Sequence, residues 1–147
     1  LVPSNFRGVG ARVGEHDRGR GELQDLLAIV QQVAPHGPLA LAGFSFGAFV
    51  TTHAVQALWS PERLQKIVLV GTAASRFDPA PVPPQAHERT LVLHGEQDDT
   101  VPLVSVLDWA RPQVLPVTVV PGGEHFFHGQ LPLLKLLVLR HLLSPVL

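Results

Sequence analysis

Four short apolar runs divide this chain, and each ends in a stretch rich in glycine, proline or charge. Continuous apolar runs of this length are typical of strands buried in a parallel sheet. The runs cover residues 39–42, 66–71, 90–94 and 117–120. Segments that we predict to be helical flank them, at residues 22–33, 46–58, 103–111 and 131–143. Strands that alternate with helices predict an α/β fold, with an open, mostly parallel sheet and helices on both faces.

The first strand passes into its helix through the sequence GFSFG at residues 43–47. Two glycines let the strand and the helix approach closely, and the corner residue is forced into a strained conformation that holds its side chain above the sheet. The positive end of the helix dipole points at any anion formed there, and the Phe46 N–H is the natural first oxyanion donor. We interpret Ser45 as a nucleophile. The alternative is a serine that merely lies between packing glycines.

Acidic and histidine side chains follow the last two predicted strands. Asp98 comes after the third run, and His125 comes after the fourth. The carboxyl ends of parallel strands meet at one edge of the sheet, so serine, acid and histidine emerge there in chain order. A neutral imidazole can take the proton of Ser45, and a carboxylate can fix the tautomer of that ring. We therefore assign the base to His125 and the acid to Asp98.

These motifs together resemble the α/β-hydrolase superfamily. The resemblance rests on GFSFG at residues 43–47, HGEQDDTVP at 94–102 and GGEHFFHG at 122–129. With NFRGVG at residues 5–10, the chain resembles the small, cap-less bacterial serine hydrolases related to dienelactone hydrolases. The resemblance implies an α/β-hydrolase fold with the acid on Asp98, Asp99 as the fallback, and the base on His125.

The resemblance also implies that part of the family domain would precede Leu1. The family's first strands, and the loop whose N–H completes the oxyanion hole, would lie there. We therefore expect residues 1–147 to be the C-terminal part of a single α/β-hydrolase domain, with the N-terminal strands missing and no lid domain. Loss of one oxyanion donor costs about 10²- to 10³-fold in rate. We expect this chain by itself to be poorly active or inactive, and its longer parent to be a serine hydrolase.

The expected reaction is cleavage of a carboxylic ester or a related acyl bond in a small molecule. The connection 72–88 is too short to be a lid domain, so we expect an open pocket with Phe44 and Phe126 as apolar substrate contacts. Thioester, lactone and peptide bonds require the same residues and stay open. The alternative from another class is a non-catalytic binding or scaffold protein that retains the fold. The histidines and carboxylates match no compact metal motif, and we expect no metal or cofactor.

Charge and composition limit the expected partners. Eleven Lys and Arg residues oppose 12 Asp and Glu residues, so no net field favours nucleic acid or an anionic membrane. Segment 131–143 is apolar nearly all round, but it is shorter than the roughly 20 residues of a membrane span, and Lys135 and Arg140 interrupt it. We expect a core helix whose outer face is a candidate homo-oligomer contact. We further expect a cytoplasmic protein without membrane partners.

Overall fold

The computed structural model describes residues 19–146, in which four parallel strands form one sheet in the order β1-β2-β3-β4. The strands are β1 (Leu39–Phe44), β2 (Leu64–Val70), β3 (Thr90–Gly95) and β4 (Thr118–Val120). The α-helices are α1 (Arg20–Val33), α2 (Phe46–Leu58), α3 (Leu103–Ala110) and α4 (Leu131–Leu143). The predicted α/β class with a parallel sheet is confirmed. The NFRGVG segment at residues 5–10, which forms part of the family resemblance, lies outside the described residues.

The sheet separates two apolar clusters. Successive side chains of a strand point to opposite faces, so Ile67 and Leu69 of β2 join the cluster beneath α1, α2 and α3, whereas Val68 and Val70 join the cluster beneath α4. All four side chains are buried. Burial on both faces explains why β2 has a continuous apolar run instead of an alternating one.

Strand β1 differs from the buried strand predicted over residues 39–42. Among the described strands it pairs only with β2, so it lies at the edge of the sheet. Leu41 is buried against the helices of the first cluster, but Ala40, Ala42 and Phe44 are exposed on the other face. The prediction was wrong for this face because no element among residues 19–146 covers it. An apolar sequence indicates that burial of the side chains would be favourable. It does not indicate whether another element is present to bury them.

Helix α4 has the predicted bounds, but it is not a core helix. None of its residues is fully buried, and it packs on the second cluster through Leu134, Leu137 and Val138. Its other large apolar side chains are exposed: Leu131, Leu133, Leu136, Leu139, Leu142 and Leu143. The prediction failed because α4 contacts the sheet along one stripe only. No helix within residues 19–146 combines the length and hydropathy needed to cross a membrane.

The connection after β2 packs along the helices. It contains a 3₁₀ helix, Pro84–Arg89. The Ala80 N–H donates to Thr52 Oγ1 of α2 at 2.9 Å, and Trp109 Nε1 of α3 donates to the Ala80 carbonyl at 3.3 Å. Val82 and Ala86 are buried. This segment is therefore part of the core and is fastened to α2 and α3.

Candidate active site

Ser45 occupies the corner between β1 and α2 in a backbone conformation that is rare for a residue with a side chain. Its φ is 58° and its ψ is −118°. The Ser45 N–H continues the ladder by donating to the Val70 carbonyl at 2.8 Å. Two residues earlier, a Cβ on Gly43 would lie 2.4 Å from the Gly47 carbonyl oxygen, so the strand and the helix are too close for any larger residue there. Strain of this kind persists only where the surroundings enforce it.

The carboxylate of Asp98 lies at the carboxyl end of β3 and is held by its own turn. Its Oδ1 accepts the N–H groups of Thr100 at 2.9 Å and Val101 at 2.7 Å. This local bonding is the pattern by which an aspartate closes a turn on the backbone that follows it. Asp98 is buried, whereas Asp99 is exposed. The turn leaves Oδ2 of Asp98 facing the loop after β4.

The imidazole of His125 joins Asp98 to Ser45. Its Nδ1 lies 2.7 Å from Asp98 Oδ2, and its Nε2 lies 3.0 Å from Ser45 Oγ. An ionised carboxylate only accepts hydrogen bonds, so Nδ1 carries the proton and Nε2 presents its lone pair to the serine hydroxyl. The structure thus brings together all three residues that the sequence singled out, although Ser45 and His125 are 80 residues apart in the chain.

Backbone hydrogen bonds fasten the two loops that carry the acid and the histidine. The Glu96 N–H donates to the Val120 carbonyl at 3.0 Å, and the Gln97 N–H donates to the Gly123 carbonyl at 2.8 Å. The side chain of Glu96 also accepts the Gly122 N–H at 3.0 Å. These bonds continue the pairing of β3 with β4 beyond the strands. They therefore fix the separation of Asp98 from His125.

Aromatic rings flank the imidazole at the surface. The ring centres of Phe44 and Phe126 each lie 5.0 Å from that of His125, and both phenylalanines are exposed. Phe46 is oriented differently, because its ring packs against Phe49 and Phe77 in the core. The backbone of Phe46 is the first of α2 and follows Ser45 directly. The rings of Phe44 and Phe126 therefore contact the imidazole, whereas the ring of Phe46 contacts the core.

Two residues near the candidate site were not assigned to it from the sequence. His94 is fully buried, and its Nε2 lies 2.7 Å from the Val101 carbonyl and 3.4 Å from Asp98 Oδ2. Burial lowers the pKa of His94, and the carbonyl and Asp98 only partly oppose that effect. Gly71, at the end of β2, lies against the His125 ring. Within residues 19–146, no three histidine or carboxylate side chains group as a metal site.

Comparison with known proteins shows which proteins this chain is similar to. The model of an alpha/beta hydrolase family matches residues 7–107. A lidless α/β serine hydrolase from Xanthomonas campestris is 36% identical with a TM-score of 0.74, over 93% of this chain and 62% of that one. An α/β serine hydrolase homologue from Coxiella burnetii is 33% identical with a TM-score of 0.71, over 95% of this chain and 67% of that one.

A curated relative extends the comparison. An uncharacterised protein of Rickettsia prowazekii is 27% identical over 139 residues, which cover 84% of this chain and 56% of the relative. The chain thus spans between about half and two thirds of the length of these relatives. The family model covers well over half of the chain, including Ser45 and Asp98. On this match the chain belongs to the alpha/beta hydrolase family.

Proposed function

We propose that this chain carries the reactive residues of a serine hydrolase that cleaves a carboxylic ester or a related acyl bond. The observation that carries the proposal is the continuous hydrogen-bonded chain from Ser45 through His125 to Asp98, with separations of 3.0 and 2.7 Å. Ser45 is the nucleophile, His125 the general base and Asp98 the acid that orients it. The family supports hydrolysis, and the ester is our specific assignment.

Acylation follows from the proton positions. His125 Nε2 takes the Ser45 hydroxyl proton while Oγ attacks the acyl carbon, whose carbonyl oxygen becomes an oxyanion. Asp98 stabilises the imidazolium through the Nδ1–H bond and does not itself take the proton. When the intermediate collapses, His125 delivers its proton to the leaving alcohol. An acyl group is then esterified to Ser45 Oγ.

Deacylation uses the same residues in reverse. His125 Nε2 takes a proton from a water molecule, and the resulting hydroxide attacks the acyl carbon. The second intermediate releases the carboxylic acid, and the proton returns to Ser45 Oγ. In both halves we assign the Phe46 N–H, at the N-terminus of α2, to the oxyanion. Every proton transfer is assigned to a side chain or water, so the proposal needs no cofactor.

The surroundings of His125 favour a small or extended acyl group. Phe44 and Phe126 offer an exposed apolar surface beside the imidazole, with ring centres 5.8 Å apart. We propose that the acyl chain lies across these rings, because apolar surface next to the reacting carbonyl binds acyl carbons rather than water. The cytoplasmic location and the absence of nucleic-acid and membrane partners stay predictions.

The test is Ser45-dependent acyl chemistry. We would measure hydrolysis of p-nitrophenyl acetate by this chain, and map fluorophosphonate labelling by mass spectrometry. Ser45→Ala removes the nucleophile. Ser60→Ala is the control, since the Ser60 hydroxyl accepts the Arg63 N–H beyond the end of α2 that is opposite to Ser45. We expect slow turnover and labelling that Ser45→Ala abolishes and Ser60→Ala keeps. In a longer protein that supplies the second oxyanion donor, we expect rates about 10²- to 10³-fold higher.

Two outcomes would contradict the proposed function. A chain and a longer protein that both fold, yet show no Ser45-dependent turnover of ester, thioester or peptide substrates and no label on Ser45, would leave a binding or scaffold protein with a hydrolase fold. Turnover that Ser45→Ala does not change would assign the chemistry to other residues.

A further inference from the structure

His94 lies directly behind the acid of the proposed triad. It is the second-last residue of β3, it is fully buried, and its Nε2 is 3.4 Å from Asp98 Oδ2. The same Oδ2 accepts the Nδ1–H of His125 at 2.7 Å. Two imidazoles, one from β3 and one from the loop after β4, therefore converge on one carboxylate oxygen. The proposed reaction uses only one of them.

The hydrogen bonds of His94 define its protonation. Its Nε2 lies 2.7 Å from the Val101 carbonyl, and a carbonyl only accepts, so Nε2 carries a proton. Its Nδ1 is buried and has no hydrogen-bond partner within residues 19–146. A proton on Nδ1 would place an unpaired N–H and a full charge in the interior, which is costly. His94 is therefore a neutral ring whose Nε2–H dipole has its positive end beside Asp98.

We propose that His94 is a positioning residue that holds the turn of Asp98 and, through its Nε2–H, limits how strongly the Asp98 carboxylate attracts the proton of His125. The proposal rests on the proposed function only in taking His125 as the base. Asp98 already accepts three N–H groups, from Thr100, Val101 and His125. The Nε2–H of His94 is a fourth and more distant positive dipole at the same carboxylate.

The neutrality of His94 matters for this role. A charged imidazolium 3.4 Å from Asp98 would compete with His125 for the carboxylate. A neutral ring only weakens the attraction of the carboxylate for the proton of His125. Burial lowers the pKa of His94, and the nearby His125 lowers it further, in keeping with a neutral ring. The titratable groups that face His94 are Asp98 from the turn after β3 and His125 from the loop after β4. Both belong to the proposed reaction.

The experiment compares side chains that place an N–H at different positions. His94→Gln puts an amide N–H near the position of Nε2. His94→Asn is too short to do so, and His94→Leu has no donor, so each of these two removes the dipole. The pH midpoint at which His125 becomes protonated is followed by nitrogen-15 NMR of this chain, which requires no turnover. His87→Asn is the control, because His87 Nε2 makes the same kind of bond, 2.9 Å to the Val82 carbonyl, away from Ser45.

We expect His94→Asn and His94→Leu to raise the His125 midpoint by about half a pH unit, since removing a positive dipole leaves Asp98 more attractive to the imidazolium. His94→Gln should match the unsubstituted chain, and so should His87→Asn. A merely structural role would cost stability in all these variants without this ordered shift. If His94→Asn or His94→Leu fails to fold, the other of the two decides the question.

The proposal is overturned if His94→Asn and His94→Leu leave the His125 midpoint where His94→Gln leaves it, or lower it. That result can occur in a chain whose Ser45-dependent hydrolysis is intact, and then only the role of His94 fails. Conversely, an ordered shift without hydrolysis would uphold the effect of His94 on the pair and defeat the proposed reaction. The two failures are therefore distinguishable.

Discussion

The imidazole of His125 packs against Gly71, where an added Cβ would come within 3.3 Å of the ring atom Cε1. Gly71 also has a φ of +59°, which side chains rarely adopt. We predict that Gly71→Ala displaces the ring and lowers kcat by roughly 10-fold, since a shift of about 1 Å can cost 10²-fold. The measurement is kcat on p-nitrophenyl acetate, in whichever form of the protein shows Ser45-dependent turnover.

Gly37→Ala is the matched control for this substitution. Gly37 precedes β1 and also has a positive φ, of +87°, but nothing lies within 4 Å of the position of its Cβ. Both variants should lose about 1 kcal/mol of stability from backbone strain. Only Gly71→Ala should lower kcat. Equal effects on kcat would show that contact with the ring is unimportant.

The second prediction separates the two neighbouring aspartates. Asp98→Asn should lower kcat by about 10⁴-fold, because an amide can donate to Nδ1 of His125 and so move the ring proton to Nε2, where it blocks the base. Asp99→Asn should have little effect, because Asp99 is exposed. The two variants are compared by kcat, with thermal unfolding to verify that each is folded. A larger loss of kcat in Asp99→Asn than in Asp98→Asn would assign the role of the acid to Asp99.

Local signals account for the part of the fold and site that the sequence predicts well. The strand-to-helix corner at Ser45 is fixed by two glycines within five residues, and Asp98 is fixed by a turn that it closes itself. Chain order on a parallel sheet then brings His125 to the same edge. Each step depends on residues close in sequence or on a general property of parallel sheets.

Burial and distant contacts could not be predicted in the same way. Ala42 and Leu136 have the apolar character of core residues, yet both are exposed, because burial depends on which elements are present to cover them. The contact of Gly71 with His125 joins residues far apart in the chain and has no local signature. His94 begins the motif at residues 94–102, but nothing in the sequence indicates that its ring lies 3.4 Å from Asp98.

The outer face of α4 leads to a third prediction. Leu136 and Leu139 are 50% and 42% exposed on a helix with several other exposed leucines, and a contiguous apolar surface of this kind is typical of an interface. We predict that a second copy of the chain covers it. Sedimentation analysis should show a dimer that Leu136→Lys with Leu139→Lys converts to a monomer.

Val104→Lys provides the control for that experiment, since Val104 is 61% exposed but lies on α3, across the sheet from α4. It should leave the dimer intact. A chain that is monomeric at every concentration tested, with or without the two lysines, would exclude this interface between copies. Equal dissociation by Val104→Lys would mean that added charge, and not the α4 face, disrupts association.

The last prediction concerns stability and pH. Burial lowers the pKa of His94 in the folded protein below the ordinary histidine value of about 6.5, and burial lowers the pKa of His141 in the same direction. Below about pH 6.5 the unfolded chain therefore binds more protons than the folded chain, so the free energy of unfolding falls as the pH falls through this range. Above that pH both states leave the rings neutral, and the contribution of His94 is fully present.

Urea unfolding between about pH 7.5 and 5 measures this dependence. His94→Gln removes one titrating group, so it should reduce the slope by up to one proton, or about 1.4 kcal/mol per pH unit, in the acid range. His87→Gln is the control. It should reduce the slope of the free energy of unfolding against pH by less than His94→Gln does. An unchanged slope in His94→Gln would mean that His94 takes up its proton as readily in the folded protein as in the unfolded chain. The assignment of His94 as a buried, neutral ring beside Asp98 would then be wrong.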